Sequence, residues 1–160
     1  IGDVHVLAGA DVAEDVVASL AGDPGIDAQV HPTDKRTFTL RVEDGTAVVQ
    51  VVPASRYGAH LLSRTGSRQH LEALIHEAVR AGGRLDAAGL WLHDAASPVS
   101  ASEPAIYEAL GLPYIPPELR EGAGEIDAAR SGRMPRLVEP DDIRGDLHMH
   151  SHWSDGRDSV

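Results

Sequence analysis

Arg36-Thr37-Phe38-Thr39-Leu40-Arg41-Val42-Glu43-Asp44-Gly45-Thr46-Ala47-Val48-Val49-Gln50-Val51-Val52 is the stretch that decides the fold class. Residues 36–42 and 46–52 are rich in β-branched side chains, and the Asp44-Gly45 dipeptide between them is a strong hairpin signal. On the N-terminal side, residues 4–7 read as a further strand. Asp11-Val12-Ala13-Glu14 has capping-box spacing and opens a helix expected to end near Gly22-Asp23-Pro24-Gly25. A small mixed sheet with one helix against it follows.

On the C-terminal side the helical period takes over. Ser67 can cap a helix whose Leu71, Leu74, Ile75 and Val79 recur at helical spacing, with Gly82-Gly83 past its end. Ser102-Glu103-Pro104 opens another, running to Leu110 and closed by Gly111. After Pro113-Tyr114-Ile115-Pro116-Pro117, residues 118–140 are rich in Glu, Gly and Arg and read as a short helix within a linker. No internal repeat is visible, and the class is α+β.

The composition bounds the rest. A chain of 160 residues with 42% hydrophobic content can bury one ordinary core or two small ones. Aromatics make up only 4%, so aliphatic side chains must fill that core. There is no cysteine, which excludes disulfides and thiolate metal sites and suits a reducing, cytoplasmic setting. No apolar run of about eighteen residues is present to span a membrane. The net charge of −11 argues against non-specific coating of nucleic acid. That charge is uneven: residues 54–84 carry Arg56, Arg64, Arg68, Arg80 and Arg84 against Glu72 and Glu77, so a basic middle can face phosphates. An ordinary solvated face explains the same pattern. Ile1 opens directly in an apolar alternating run, and both ends are expected to lie inside domains.

Asp146-Leu147-His148-Met149-His150-Ser151-His152-Trp153-Ser154-Asp155-Gly156 is a dense set of metal donors. In an extended segment the His148 and His150 imidazoles share a face, and Asp155 sits in a turn from which its carboxylate can swing toward them. Imidazole and carboxylate suit zinc, manganese or iron. The alternative is that nine histidines in one chain sometimes fall together on a solvated loop. The string resembles the opening motif of the PHP (polymerase and histidinol phosphatase) domain family. That resemblance implies the first strand of a β/α barrel, with His148, His150 and Asp155 among the ligands of Mn or Zn and the remaining ligands beyond Val160.

Gly111-Leu112-Pro113-Tyr114-Ile115-Pro116-Pro117-Glu118-Leu119-Arg120-Glu121 resembles the end of the thumb in family X DNA polymerases, and Thr65-Gly66-Ser67 with His70 resembles their nucleotide-site turn. Residues 1–7 fall where that family's palm carries its Gly-Asp-x-Asp strand, and residues 46–53 where it carries the third catalytic aspartate. Bacterial members join palm and thumb to a C-terminal PHP domain, the order found here. The resemblance therefore implies part of a nucleotidyltransferase palm sheet at 1–56, a small α/β thumb at 57–120, a linker at 121–143 and the start of PHP at 144–160. It implies a monomeric repair enzyme that fills gaps by DNA-directed nucleotidyl transfer and trims 3′ ends through a metal-dependent PHP exonuclease. Its partners are gapped or primer-template DNA and a nucleoside triphosphate, with Mg or Mn at the palm. Asp3 matches the first catalytic, metal-binding aspartate. Thr65, Gly66 and Ser67 would face phosphate with their backbone N–H groups, and Arg56, Arg64 and Arg68 would grip DNA.

The palm departs from the family pattern. Two divalent ions held close together need clustered carboxylates, yet the second position is His5 and the third is Val48. Ser63 and Arg64 replace an aromatic pair, Leu71 a polar residue, Asp86-Ala87-Ala88 an Asn-Glu-Tyr-like triplet, and Gln50 a position often basic. The polymerase site therefore reads as degenerate, its use of a nucleoside triphosphate is in question, and the isolated chain is expected to be inactive. One alternative is a non-catalytic palm and thumb that position DNA for PHP. A more distant one is a small-molecule PHP phosphoesterase.

Overall fold

The structure, a computed structural model, describes residues 4–22, 29–42, 45–93, 95–145, 150, 152 and 155–157. Four strands form the first layer: β1 (Val4–Gly9), β2 (Gln29–Pro32), β3 (Thr37–Val42) and β4 (Gly45–Val52), in the order β1-β4-β3-β2. The expected β3–β4 pair is antiparallel with Val42 opposite Gly45, while residues 43 and 44 of its turn lie outside the described residues. β1 joins β4 in parallel, a pairing that requires the intervening chain to cross over. Helix α1 (Ala13–Gly22) lies in that crossover and begins one residue later than the capping-box spacing predicts.

Side-chain alternation gives the sheet two different faces. On one, Phe38 and Val51 are buried with Ala13 of α1, and Ala8, Val16, Val17 and Val30 close around them. The other face carries two cross-strand rows: His5, Val48 and Thr39, then Leu7, Gln50 and Thr37. Among the described residues no helix of the first layer covers this second face, which leaves it for a cleft.

The second body has its own core. A 3-10 turn at Ala54–Arg56 leads into α2 (Tyr57–Leu62), followed by α3 (Arg68–Arg80), the hairpin β5 (Gly83–Asp86) and β6 (Gly89–Leu92), and α4 (Glu103–Ala109). Leu74, Leu90, Ile106 and Ile115 are fully buried there. The expected caps form: Ser67 Oγ accepts from His70 N at 3.1 Å, and Ser102 Oγ from Ala105 N at 3.4 Å. Gly58 lets α2 cross the start of α4 in close contact, since a Cβ there would lie 2.3 Å from the Ser102 backbone.

The core does not stop at residue 120. Helix α5 (Glu125–Arg130) falls in the stretch expected to be a linker, and its Ile126 and Ala129 are buried against the second body. A six-residue helix with two buried apolar positions is too short to give a periodic sequence signal, and for that reason its packing was not expected. The barrel strand expected from the metal motif lies outside the described residues, which omit 146–149.

Candidate functional site

The uncovered sheet face and the second body enclose a cavity of about 560 Å³. His5, Leu7, Val48, Gln50 and Thr37 form its floor, and Leu61 of α2 with Arg64 and Thr65 forms its wall. His5 and Val48 are register partners on the parallel strands β1 and β4. The two positions expected to have lost carboxylates are therefore neighbours on one surface. Among the described residues lining the cavity there is no Asp or Glu, and its polar groups are the His5 imidazole, the Arg64 guanidinium, the Gln50 amide and two hydroxyls.

Arg64 ties wall to floor by donating from Nη2 to Gln50 Oε1. The same side chain reaches the His60 carbonyl at 3.4 Å and lies 3.4 Å from His60 Nδ1. Burial, then the cations of Arg64 and Arg56, hold the His60 imidazole below its ordinary pKa and favour its neutral form. This corner of an acidic protein is locally positive.

The turn that carries Arg64 and Thr65 is fixed from behind. Arg120 is fully buried, and its Nη1 donates to Thr65 Oγ1 at 2.7 Å and to Glu103 Oε1 at 2.6 Å, while its Nε donates to the Ile115 carbonyl at 2.9 Å. Its Nη2 has no hydrogen-bond partner among the described residues, and the guanidinium lies 5.6 Å from the Tyr107 ring and 5.5 Å from the Tyr114 ring, within cation–π range. Ser67 N donates to the Arg120 carbonyl at 2.6 Å, and Thr65 N to the Leu61 carbonyl at 3.0 Å. Two of the three N–H groups expected to face a phosphate, those of Thr65 and Ser67, are thus engaged within the chain. Gly66 adopts φ +98°, and a Cβ on it would meet the Arg120 side chain at 2.4 Å, so glycine is needed there.

A second buried group continues this support. His70 lies between Glu125 Oε1, 2.5 Å from Nδ1, and the Tyr107 hydroxyl, 2.7 Å from Nε2. A carboxylate only accepts, so the proton of that contact sits on Nδ1. Burial raises the Tyr107 pKa strongly and keeps the phenol protonated beside His70 Nε2. Desolvation pushes Glu125 upward, but hydrogen bonds from His70 and from Gly122 N and Ala123 N prevail and hold its pKa below the ordinary value. His70 is therefore a structural centre of the second body.

The other expected site residues are dispersed. Arg56 is exposed at the end of its 3-10 turn, and Arg68 is exposed at the start of α3, paired with Glu72 at 2.7 Å. Asp3 and His148 lie outside the described residues. His150 and Asp155 are brought together, Nδ1 to Oδ1 at 2.5 Å, and among the described residues no three His, Asp or Glu side chains gather as a metal site. Glu103, Tyr107, Arg120 and Glu125 were not expected as site residues. They act through the turn, and a buried arginine or glutamate leaves no local sequence signal.

Residues 60–121 match the family described as DNA polymerase beta thumb. Along its whole length the chain is 31% identical, over 163 aligned residues, to the DNA polymerase/3′-5′ exonuclease PolX of Bacillus subtilis (strain 168). It spans 28% of that relative's length.

Proposed function

This chain belongs with the family X DNA polymerases and carries their thumb, and from that premise we propose that it is the palm-and-thumb portion of a DNA repair enzyme whose nucleotidyl-transfer site has decayed. The parent protein would engage gapped or primer-template DNA, as a monomer in the cytoplasm. Its chemistry would come from a metal-dependent PHP 3′-5′ exonuclease that begins near residue 144 and uses His148, His150 and Asp155 with Mn or Zn.

The observation that carries this proposal is the register pair His5 and Val48 on the cleft floor. Two Mg²⁺ ions close together repel strongly, and each needs anionic oxygen ligands. An imidazole and an isopropyl group cannot replace two carboxylates, and Asp3 alone leaves at most one. Arg64 stands on the wall where the family has an aromatic residue, and Gln50 on the floor where it is often basic. A guanidinium on the wall and a neutral amide on the floor would alter the surface offered to an incoming nucleotide.

Alternatively, palm and thumb serve only to position DNA for the nuclease. Exposed Arg56 and Arg68 favour this, because they stand at the two ends of the segment that walls the cleft. Affinity for DNA would then fall steeply with ionic strength, and replacing Arg56, Arg64 and Arg68 together would flatten the slope.

The test of the main proposal is the full-length protein on DNA with a one-nucleotide gap, in Mg²⁺ and separately in Mn²⁺, with growth and 3′ shortening read in the same lanes. Shortening without growth, lost on His148→Ala, is expected. Robust Mg²⁺-dependent growth that disappears on Asp3→Ala overturns it.

A further inference from the structure

Val138 is 77% exposed and Ile143 67%, the two most exposed large apolar side chains among the described residues. They flank the 3-10 turn Pro140–Asp142, which is firmly held: the Asp142 carboxylate accepts from Glu139 N at 2.9 Å, closing a capping box, and from Arg136 Nη2 at 2.9 Å. In a capped turn these two places are those of a hydrophobic staple, which packs the residue before the cap against the one after the first turn. Here a staple leaves most of both side chains in solvent, so it does not account for them. Upstream the chain is anchored to the second body. Arg130 pairs with Glu77 at 2.5 Å, Arg133 N donates to the Ala128 carbonyl at 2.8 Å, and Met134 packs against the core. Downstream, Asp146 opens the string of metal donors three residues past Ile143. An extended chain reaches at most about 3.6 Å per residue, so the body that this string begins starts within roughly 11 Å of the turn.

We propose that residues 136–143 are a preformed docking element whose occupant is the PHP body of the same polypeptide, which covers Val138 and Ile143 and is thereby fixed against the second body. This rests on the reading that a PHP body follows residue 144, and it adds the surface on which that body seats. Three features favour this occupant over a separate partner. The short tether gives it a high effective concentration at the turn. The turn is already ordered, so little conformational freedom is lost on docking. Arg136 and Asp142 neutralise each other, so covering the turn buries no unpaired member of that pair. A nuclease seated this way keeps a constant geometry relative to the thumb instead of swinging on a flexible linker.

The test uses the full-length protein. Limited trypsin digestion followed by mass spectrometry reads cleavage after Arg136 and Arg144, and small-angle X-ray scattering reads the envelope. The wild type is expected to resist cleavage at both places and to scatter as one compact monomer. Val138→Ser/Ile143→Ser is expected to raise cleavage roughly tenfold or more and to enlarge the radius of gyration, as the loss of two buried aliphatic contacts implies. Both side chains are exposed on the second body itself, so the melting transition of palm and thumb should not move, which separates undocking from unfolding. Asp142→Ala loosens the turn while keeping its apolar residues, and should raise cleavage after Arg144. Wild-type cleavage and scattering in both variants, or a wild type cleaved as fast as Val138→Ser/Ile143→Ser, overturns the proposal. Protection that appears only at high protein concentration, with doubled scattering mass, assigns the turn to a second copy and overturns it too. No readout here uses nuclease activity. A protected turn in a protein without metal-dependent 3′ shortening removes the PHP reading and keeps the docking, and an unprotected turn beside intact 3′ shortening does the reverse.

Discussion

Arg120 and Glu103 form a buried ion pair, Nη1 to Oε1 at 2.6 Å, with the arginine side chain fully buried and the glutamate side chain 5% exposed. The pair joins the segment after α4 to the helix start at Ser102, and the same Arg Nη1 holds Thr65 at the cleft wall. Removing one partner strands a charge in the core, which typically costs about 3–5 kcal/mol. Glu103→Ala is expected to lower unfolding stability by that order in urea denaturation. Arg68→Ala breaks a pair of similar length whose arginine side chain is 87% exposed, and it should cost less than about 1 kcal/mol. Equal costs for the two variants would mean that the buried pair contributes no more than a surface one.

Tyr107→Phe removes the hydroxyl that satisfies His70 Nε2 at 2.7 Å and changes little else in shape. The buried ring nitrogen is then left without that partner, at a cost of about 1–3 kcal/mol. Thermal unfolding monitored by circular dichroism reads this directly, and an unchanged melting temperature would show that the hydroxyl contributes nothing to holding His70.

Glu125 gives the fold an acid-sensitive element. Although desolvation works against it, hydrogen bonds from His70, Gly122 N and Ala123 N hold its pKa below the ordinary 4.5. A carboxylate with a depressed native pKa adds stability that is fully present above the unfolded value and is lost as pH falls through the native value. Stability is therefore expected to decline as pH drops below about 4.5 in the wild type. Glu125→Gln should be less stable near neutrality and show a flatter decline over that acid range. Parallel wild-type and variant curves would assign the acid sensitivity to other carboxylates.

Gly58→Ala tests the crossing of α2 and α4. A Cβ would lie 2.3 Å from the Ser102 backbone, and neither helix can yield without shifting the Ser102 cap. Overpacking of this kind typically costs about 1–3 kcal/mol. A fully folded variant of wild-type stability would show that the crossing is looser than the structure has it.

Much of this architecture was legible because its signals are local. The β3–β4 hairpin follows from β-branched runs around Asp44-Gly45, and the Ser67 and Ser102 caps from a hydroxyl three residues ahead of the N–H that donates to it. The β5–β6 hairpin was missed because it has four-residue strands joined through Ala87-Ala88, which carry no primed-turn signal. Helix α2 was missed because Tyr57-Gly58-Ala59-His60 lacks a polar cap and places a glycine in its first turn. The buried positions of Arg120 and Glu103 run against residue type and follow only from the folded core. The departure of His5 and Val48 from the family pattern is read from resemblance alone, but their adjacency depends on a parallel pairing across more than forty residues that no local pattern encodes.

That adjacency also permits the most direct test of the central claim, that the palm keeps its geometry and has lost only its ligands. Primer extension in Mg²⁺ would compare the wild-type full-length protein with His5→Asp/Val48→Asp, which returns two carboxylates to register-paired positions on the cleft floor. No detectable extension by the wild type and measurable Mg²⁺-dependent extension by the double variant is the predicted result. Efficient extension by the wild type would contradict the claim, because the site would then work without the two carboxylates that His5 and Val48 replace.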